Sequence, residues 1–319
     1  MILIVSHERD DHAAAVLGAL RRTGHPVVML DTARYPEHVT LRSEFTPDGT
    51  RWWVRGLDGV GSDAWVDLAG CHAAWWRRPQ PYELNSALHA DAQSWVYQEC
   101  HEAMAGLFAG IPATWINDPD LNERAAHKPY QLALAARLGI PIPPTLVTND
   151  PASAAQFVAT HRATGTIFKT FRATEQHWRE TRLVGDAELE RLDSLRYAPT
   201  IFQARVEAVA DLRITVIGER VFATEIAKVD GLYGVDYRMS MEHLDFRPVE
   251  LPALWIRRLH DLMRHLGLVY GAIDLMRTAD GDYVFLEINP AGEWLFVSER
   301  SGQPITEAMA DHLISLDHH

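Results

Sequence analysis

Cysteine is scarce in this chain: Cys71 and Cys100 are the two cysteines among 319 residues. Two isolated cysteines cannot form the disulfide framework of a small secreted protein, and they lack the spacing of a zinc-binding motif. The sequence therefore predicts a protein of a reducing compartment, and we expect a cytoplasmic location.

The chain also lacks a long apolar run and an excess of basic residues. No segment approaches the roughly 20 apolar residues that a membrane-spanning helix requires. The first strand, 1–5, leads into the acidic residues Glu8, Asp10 and Asp11, unlike a signal peptide. Asp and Glu number 43 against 30 Lys and Arg, whereas general nucleic-acid binding needs a basic surface. We therefore expect neither a membrane nor a nucleic acid as a partner.

A glycine-rich nucleotide loop is missing where the N-terminal pattern would place it. Residues 1–31 have a strand–helix–strand pattern, in which 2–6 and 27–30 are apolar strands. The turn between them contains no Gly-x-Gly-x-x-Gly, so it gives no indication of dinucleotide binding. We expect a Rossmann-like lobe that closes with the segment 114–119.

A β-hairpin pattern is present near the end of the chain. Two apolar runs flank Asp280-Gly281, a dipeptide typical of two-residue hairpin turns. Such a turn places Asp274 opposite Glu287, with Asn289 on the same face. Opposed carboxylates destabilise a strand pair unless a cation neutralises them, and oxygen ligands on a rigid face suit Mg²⁺. The sequence predicts a magnesium site here; the alternative is an exposed hairpin with unrelated acids.

Two further positions have basic residues next to apolar strands. The strand at 73–76 is followed by Arg77, Arg78 and a proline, which indicates either a surface loop or an anion site at the carboxyl edge of a sheet. Lys169 lies within the apolar strand 166–170, and a buried lysine is costly unless it meets an anion.

The remaining pattern predicts helices separated by short connections. A second long helix is predicted at 120–139, a loop at 292–302 and a last helix at 304–316. The chain has no low-complexity linker, so we expect three lobes packed together, with boundaries at 1–119, 120–199 and 200–319.

Four features follow one another in a fixed order along the chain. They are Lys128 before Gly-Ile-Pro-x-Pro-x-Thr, Lys169 in its strand, Gln-x-x-Val before Asp-x-Arg, and Asp followed later by Glu-x-Asn. This order resembles the ATP-grasp superfamily of carboxylate–amine ligases. The resemblance implies an α/β (α+β) ATP-grasp fold, with an N-terminal Rossmann-like pre-ATP-grasp domain, a central lobe and a C-terminal lobe that contains the metal site.

The resemblance also implies roles for individual residues. Those expected to contact ATP are Lys128 and Lys169 at the phosphates, Gln203 and the main chain of Val206 at the adenine edge, Ile167 and Met276 on the adenine faces, and Asp211 at the ribose. Those expected at the reacting phosphate are Arg213, again Lys169, and the ligands of two Mg²⁺ ions, Asp274, Glu287 and Asn289. Ile167 and Met276 are equally compatible with ordinary core positions.

A narrower resemblance rests on three segments. The segment 170–178 after Lys169 contains no glycine, unlike many ATP-grasp enzymes. Trp75-Trp-Arg-Arg-Pro79 and Leu-Glu-Ile-Asn-Pro-Ala-Gly-Glu-Trp-Leu-Phe at 286–296 resemble the microviridin-type (graspetide) peptide-crosslinking ligases, including the actinobacterial three-gene-motif branch. Resemblance to that family implies an enzyme that uses ATP to activate Asp or Glu side chains of a ribosomally made precursor peptide. The enzyme joins them to Ser or Thr as esters, or to Lys as amides. The resemblance also implies a homodimer.

The resemblance gives approximate places for peptide binding. We expect the leader of the precursor near 171–196, and the candidates for the core-peptide site are Arg78, Lys228, Asp236 and Arg238.

Two alternatives to peptide crosslinking stay open. One is an ATP-grasp ligase that adds a free amino acid to a small molecule or a protein terminus, like the glutamate-adding ribosomal ligases. The other is a non-catalytic regulator, against which the complete set of lysines and metal ligands argues.

Overall fold

The computed structural model describes residues 1–61, 63–171, 181–227 and 244–318. In these ranges the strands form a parallel sheet, a small antiparallel sheet beside it and two further antiparallel sheets. No helix in the described ranges combines the length and the apolar composition that a bilayer span requires.

The N-terminal lobe is built on a parallel sheet in the order β2-β1-β6-β7. Its elements are β1 (Ile2–Val5), α1 (Asp11–Arg22), β2 (Val27–Leu30), β3 (Thr40–Thr46), β4 (Gly49–Arg55), β5 (Trp65–Asp67), β6 (Ala73–Trp76), α2 (Ala90–Gly110) and β7 (Thr114–Ile116). All four residues of β1 are buried, because helices or the β3–β5 sheet cover both faces, and such strands are continuously apolar. The predicted strand–helix–strand start is confirmed.

The middle of the chain forms a second, antiparallel sheet in the order β10-β9-β11-β8. The elements of this segment are α3 (Pro119–Ala125), α4 (Lys128–Arg137), β8 (Thr145–Thr148), α5 (Pro151–Thr160), β9 (Thr166–Lys169), β10 (Arg182–Leu183), α6 (Asp186–Leu189) and β11 (Thr200–Ala204). Its apolar core is small and is centred on Ala154, Leu195 and Phe202. Because β11 pairs with β8 and β9, this sheet extends to residue 204.

The predicted long helix at 120–139 is wrong, because two helices replace it. α3 ends at Ala125 and α4 begins at Lys128. Pro129 has no N–H to donate to the carbonyl of Ala125, so one continuous helix would leave that carbonyl without a partner. The side chain of Gln131 donates to it instead, with 2.7 Å between Nε2 and the oxygen.

The C-terminal lobe is an antiparallel sheet in the order β14-β13-β12-β15-β16. Its elements are β12 (Ala208–Ile217), β13 (Arg220–Ala227), β14 (Asp245–Pro248), α7 (Ala253–Leu266), β15 (Tyr270–Thr278), β16 (Tyr283–Asn289), α8 (Leu295–Ser301) and α9 (Ile305–Asp317). One face, including Leu212, Ile273 and Phe285, packs against α4 and α7. The alternation along each strand turns Arg213 and Asp274 to the opposite face.

The loop predicted at 292–302 is also wrong, since α8 occupies most of it. No Ser, Thr, Asp or Asn precedes this helix as a local capping signal. Its first N–H groups are bound instead by His12, from the other end of the chain. A partner so distant in sequence leaves no local signal of the helix.

The N-terminal and C-terminal lobes share one hydrophobic core. Ile2 and Ile4 of β1 belong to the same buried cluster as Tyr270, Trp294 and Ile305, and α9 packs against α1 and the parallel sheet. The buried cluster of the central sheet is separate from it.

Candidate active site

The β15–β16 hairpin forms, but its turn differs from the prediction. The N–H of Thr278 donates to the carbonyl of Asp282 at 2.9 Å, so three residues form the loop. Gly281 has φ +84°, whereas Asp280 does not adopt positive φ, and a two-residue type I′ turn would need it at both. The predicted two-residue turn is therefore wrong.

A β-bulge restores the predicted pairing of the acidic residues. Leu275 pairs with Phe285, but Asp274 pairs with Glu287, so Leu286 is an extra residue on β16. Without this bulge Glu287 would face away from Asp274, because a one-residue slip exchanges the two faces of a strand. The structure therefore places Asp274 opposite Glu287, and Asn289 opposite Ala272.

Two basic side chains accompany the opposed carboxylates. Lys128 Nζ lies 2.7 Å from Glu287 Oε2, and Arg213 Nη1 donates to Asp274 Oδ1 at 2.8 Å. The Arg213 side chain is 9% exposed and that of Asp274 22%, so this pair is shielded from most of the solvent. The strand pair keeps two negative charges together with two positive charges beside them.

The ligand types at this edge fit a hard divalent cation. Two carboxylates and one amide oxygen supply oxygen donors, which Mg²⁺ prefers over the nitrogen and sulfur donors that suit zinc or copper. In the described part of the chain no three His, Cys, Asp or Glu side chains cluster as a metal site. A bound Mg²⁺ would thus have two protein carboxylates and would complete its coordination with phosphate and water.

The central sheet presents the second lysine. Lys169 ends β9, and its Nζ lies 3.5 Å from Oε1 of Gln203 on the neighbouring strand β11. Gln203 is buried and also donates to Thr145 Oγ1 at 2.9 Å. Ile167 pairs directly with Gln203 and is half-buried. Lys169, Gln203 and Ile167, three of the predicted ATP contacts, therefore lie on adjacent strands.

The remaining predicted ATP contacts lie in the C-terminal sheet or just before it. Asp211 is buried within β12, where it pairs with Met276 of β15. Asp211 and Arg213 share a strand face, and so do Met276 and Asp274. Val206 is half-buried in the connection between β11 and β12. Asp211, Met276, Arg213 and Asp274 thus form one continuous face of the sheet.

A cavity opens beside Lys128. Its volume is about 340 Å³, and it is lined by Ala126, His127, Lys128, Pro129, Tyr130 and Phe171. The cavity lies between the start of α4 and the end of β9, so it adjoins the strand that contains Lys169. Its size is at the lower end of the range for small-molecule sites.

The main-chain carbonyls of the segment after Asn289 accept hydrogen bonds from three distant side chains. Nothing in the sequence indicated that these three side chains meet. Tyr270 Oη and Arg77 Nη1 both donate to the Gly292 carbonyl, at 2.7 and 2.8 Å. Arg77 Nη1 also donates to the Ala291 carbonyl at 2.6 Å, and Arg213 Nη2 donates to that of Glu293 at 2.9 Å. These carbonyls hold the end of β16, where the predicted metal ligands lie, against the N-terminal lobe.

Gly292 is necessary for this close packing. A Cβ atom at this position would lie 2.4 Å from Cβ of Ala272 and 3.2 Å from Nη2 of Arg213. Any side chain here would clash with Ala272 and would also require the Arg213 guanidinium to shift by a few tenths of an ångström.

Arg77 has a structural role that differs from the predicted anion site. Its side chain is 0% exposed, its Nε donates to Asp10 Oδ2 at 3.0 Å, and its guanidinium lies near the rings of Trp75 and Trp294. Burial acts to raise the pKa of the Asp10 carboxyl, but the neighbouring His12 ring, the Arg77 charge and the Ser6 hydroxyl together hold it well below its usual value. Asp10 is thus a buried anion that compensates a buried cation.

The peptide-site candidates are only partly within the described residues. Arg78 is half-exposed, and its Nη2 lies 2.5 Å from Glu293 Oε1, close to the point where Arg213 contacts the same residue. Lys228, Asp236 and Arg238 lie outside the described residues, as do 172–180 of the expected leader-binding segment.

The neutral form of His12 is part of the folded structure. Its Nε2 accepts hydrogen bonds from the N–H groups of Trp294 and Leu295, at 2.9 and 3.2 Å. Burial lowers the pKa of His12, and the nearby Arg77 charge adds to this, although Asp10 opposes it. A protonated ring could not accept these bonds.

We expect the free energy of unfolding to fall as the pH is lowered from about 7 to about 5, partly because of His12. The unfolded chain takes up a proton at this residue below its ordinary pKa of about 6.5, while the folded chain resists it. His12→Gln keeps an acceptor but cannot titrate, so its unfolding free energy should fall less over this range. Urea unfolding at several pH values measures the difference, and equal pH dependence in both proteins would contradict the assignment.

Comparison with known proteins identifies relatives over the whole chain. A family model described as the MvdD pre-ATP grasp domain matches residues 1–123. The macrocyclase MdnC of Microcystis aeruginosa MRC, solved with the precursor peptide MdnA, is 30% identical with a TM-score of 0.86, over 98% of this chain and 99% of that chain. No curated protein sequence matches the chain.

Two further solved structures are similar over the same extent. The macrocyclase MdnB of Microcystis aeruginosa MRC is 28% identical with a TM-score of 0.80, over 98% of both chains. A RiPP-associated ATP-grasp ligase of Chryseobacterium gregarium, solved with ADP and a leader and core peptide, is 26% identical with a TM-score of 0.83, over 98% of this chain and 96% of that chain. The similarity therefore includes all three lobes.

Proposed function

Because this chain belongs to the ATP-grasp macrocyclases of the microviridin type, we propose that it is an ADP-forming ligase that crosslinks a ribosomally made precursor peptide. It uses ATP to phosphorylate Asp or Glu side chains of the peptide and joins them to Ser or Thr hydroxyls as esters, or to Lys amines as amides. The observation that supports this most directly is the opposition of Asp274 and Glu287, with Arg213 and Lys128 beside them.

The proposed reaction depends on charge neutralisation and positioning. A peptide carboxylate attacks the γ-phosphate of ATP, ADP leaves, and the acyl phosphate then reacts with the hydroxyl or amine, releasing phosphate. Arg213 and Lys169 would neutralise the transferred phosphoryl group, Lys169 and Lys128 would bind the other phosphates, and Asp274, Glu287 and Asn289 would hold Mg²⁺. The metal supplies charge neutralisation at the phosphate oxygens.

The nucleotide base would lie against the central sheet. Ile167 and Met276 would contact its faces, Gln203 and the main chain of Val206 its edge, and Asp211 the ribose. These assignments are supported by the adjacency of β9 and β11 and by the pairing of Asp211 with Met276. The relative from Chryseobacterium gregarium was solved with ADP, which supports nucleotide use in this family.

The mechanism requires no covalent enzyme nucleophile, and the cysteines are poorly suited to supply one. Both thiols are buried and free. Burial raises the pKa of both, that of Cys71 to about 12, so neither forms the reactive thiolate readily near neutral pH.

The peptide would approach the exposed part of this face. Arg78 lies beside Glu293 at the end of β6, where it could bind a peptide carboxylate, and Lys228, Asp236 and Arg238 stay candidates on sequence grounds. A leader contact near 171–196, a homodimer and a lobe boundary at 119 are further parts of the proposal. The predicted boundary at 199 moves to the end of β11, at residue 204, because β11 pairs with β8 and β9.

The first test is the intact mass of a candidate precursor peptide after incubation with the protein, ATP and Mg²⁺. Each ester or amide formed within the peptide removes one water, about 18 Da, since the carboxyl oxygen leaves as phosphate. Loss in whole-water steps would support crosslinking. A gain of one amino acid residue would favour the free-amino-acid ligase, and consumption of neither ATP nor peptide across a panel of precursors would count against both.

Lys169→Ala should weaken nucleotide binding by about ten- to a hundredfold, because it removes a charge-assisted contact with the phosphates. Calorimetry with ADP and Mg²⁺ measures the dissociation constant without peptide. Arg162→Ala is a suitable control, since it removes an exposed cation from the same lobe. Unchanged nucleotide affinity in Lys169→Ala would exclude the proposed cleft.

A further inference from the structure

The strand β16 lies at the edge of its sheet, yet its outer side is bound by other parts of the chain. Ile288 N–H donates to Oε1 of Gln131 at 3.0 Å, and Ile288 O accepts from Nε2 of the same side chain at 2.7 Å. Phe285 N–H donates to the carbonyl of Pro141 at 2.8 Å. One side-chain amide thus makes the two hydrogen bonds that a neighbouring strand would make.

Gln131 uses its full set of polar atoms in this position. It is 1% exposed, and besides both bonds to Ile288 it donates to the Ala125 carbonyl at 2.7 Å. A buried amide with two donors and its acceptor engaged has one allowed orientation, since any rotation leaves polar groups without partners. Gln131 therefore fixes the main chain of β16 relative to the break between α3 and α4.

The position of Gln131 relates it to three groups of the candidate site. Ile288 lies between Glu287 and Asn289 on β16. The side chains of Glu287 and Asn289 lie on one face of the sheet, and that of Ile288 lies on the other. Lys128 precedes Gln131 by three residues on α4, so the two lie on one side of the helix. The same helix that binds the main chain at Ile288 therefore directs Lys128 to Glu287, at 2.7 Å.

Asn117 provides a second attachment beyond the end of β16. It is 1% exposed, and its Nδ2 donates to the carbonyls of Pro290 and Tyr270 at 3.0 and 2.9 Å. Its Oδ1 accepts from the N–H groups of Val269 and Tyr270. Asn289 is thus bracketed by a fixed main chain before it, at Ile288, and after it, at Pro290.

We propose that Gln131 is a positioning residue for the divalent cation site: it sets the directions of Glu287, Asn289 and Lys128 through the main chain of β16 and through α4. This inference rests on the proposed function, because it takes Glu287 and Asn289 as the ligands of Mg²⁺. Gln131 itself contacts neither the cation nor the nucleotide.

The test compares Gln131→Met with Leu134→Ala in the full-length protein. Leu134 is buried on the same helix and belongs to the same apolar cluster as Ile288, so its truncation lowers stability while leaving the hydrogen bonds between Gln131 and β16 in place. The quantity measured is the Mg²⁺ concentration that gives half of the thermal stabilisation by ADP, with no peptide present. We expect Gln131→Met to raise it about ten- to a hundredfold, as loss of groups that orient metal ligands does, and Leu134→Ala to change it less than about twofold.

Further variants keep the proposal open to refutation. Gln131→Glu keeps the acceptor for Ile288 N–H and, because its buried carboxyl would be protonated, at most one of the two donors. It should therefore also raise the Mg²⁺ concentration needed for half of the stabilisation, and it serves if Gln131→Met does not fold. Glu287→Gln reports on the metal assignment itself. If Glu287→Gln raises the Mg²⁺ concentration needed for half of the stabilisation but the Gln131 variants do not, the positioning role of Gln131 is wrong and the metal assignment stands. If neither Glu287→Gln nor the Gln131 variants raise it, the metal assignment is wrong and the positioning role with it.

Discussion

Replacing Glu287 with Gln, or Asp274 with Asn, should reduce ligation by roughly a thousandfold or more. Each change removes one negative charge from the proposed Mg²⁺ site, and a metal that neutralises phosphoryl charge contributes several kcal/mol at about 1.4 kcal/mol per tenfold in rate. The fold should change little. The Glu287–Lys128 pair is partly exposed, whereas Arg213 in the Asp274–Arg213 pair is only 9% exposed. Each amide can still accept a hydrogen bond, so we expect the unfolding free energy to fall by less than about 1 kcal/mol in Glu287→Gln and by about 1–3 kcal/mol in Asp274→Asn.

The same sheet offers a matched control. Glu225 of β13 pairs with Arg277 of β15 at 2.7 Å, with a side-chain exposure of 20%, close to the 22% of Asp274. Because Glu225 pairs across the strands with Leu212, it lies on the opposite face from Arg213. Glu225→Gln should therefore leave the rate of peptide ligation, measured by mass spectrometry, within about twofold of the wild type. Wild-type turnover in either Glu287→Gln or Asp274→Asn would disprove the metal assignment.

Replacing Arg77 with Met should lower the free energy of unfolding by about 3–5 kcal/mol, which is the usual cost of removing one partner of a buried ion pair. The Asp10 carboxylate would stay buried without its cation, the carbonyl of Ala291 would lose the Arg77 donor, and that of Gly292 would keep only its bond from Tyr270. Urea unfolding of the purified variant measures this loss. Arg78→Met is the control, since Arg78 is half-exposed and its pair with Glu293 should contribute less than about 1 kcal/mol.

A double variant separates the buried charge from the other contacts of Arg77. If the uncompensated Asp10 causes most of the loss, Asp10→Asn combined with Arg77→Met should be more stable than Arg77→Met alone. A double variant at least as unstable as the sum of the two single changes would show that the hydrogen bonds to the 291–292 carbonyls dominate instead. Either result would be incompatible with Arg77 as an exposed anion-binding residue.

The elements of this fold that have local signals could be predicted from the sequence. The first strand–helix–strand unit, the strand of Lys169 and the β15–β16 hairpin all follow from apolar spacing and turn residues. The opposition of Asp274 and Glu287 was predicted from a turn of the wrong length. It holds because the bulge at Leu286 adds one residue to β16 and compensates for the longer loop.

The features that the sequence did not show depend on distant partners. α8 is capped by His12 from the other end of the chain. The break before α4 is different, because Pro129 and Gln131 lie next to it in the sequence. The arginine pair after β6 indicated either a surface loop or an anion site, but Arg77 is buried and binds an internal carboxylate and internal carbonyls. The bonding partners of Arg77 lie between 67 and 215 residues away along the chain, so no local sequence pattern contains both Arg77 and its partners.

The shared core of the N-terminal and C-terminal lobes has a consequence for how the nucleotide enters. The segment after Asn289 is hydrogen-bonded by Arg77 and Asn117 of the N-terminal lobe and by Tyr270 of the C-terminal lobe. We therefore expect those two lobes to move as one rigid body. We expect the central sheet, whose small apolar core is separate, to be the part of the proposed cleft that moves when nucleotide binds. The conformational entropy lost on nucleotide binding would then come mainly from this one sheet, and the strand with the proposed metal ligands would already have its geometry before the nucleotide binds.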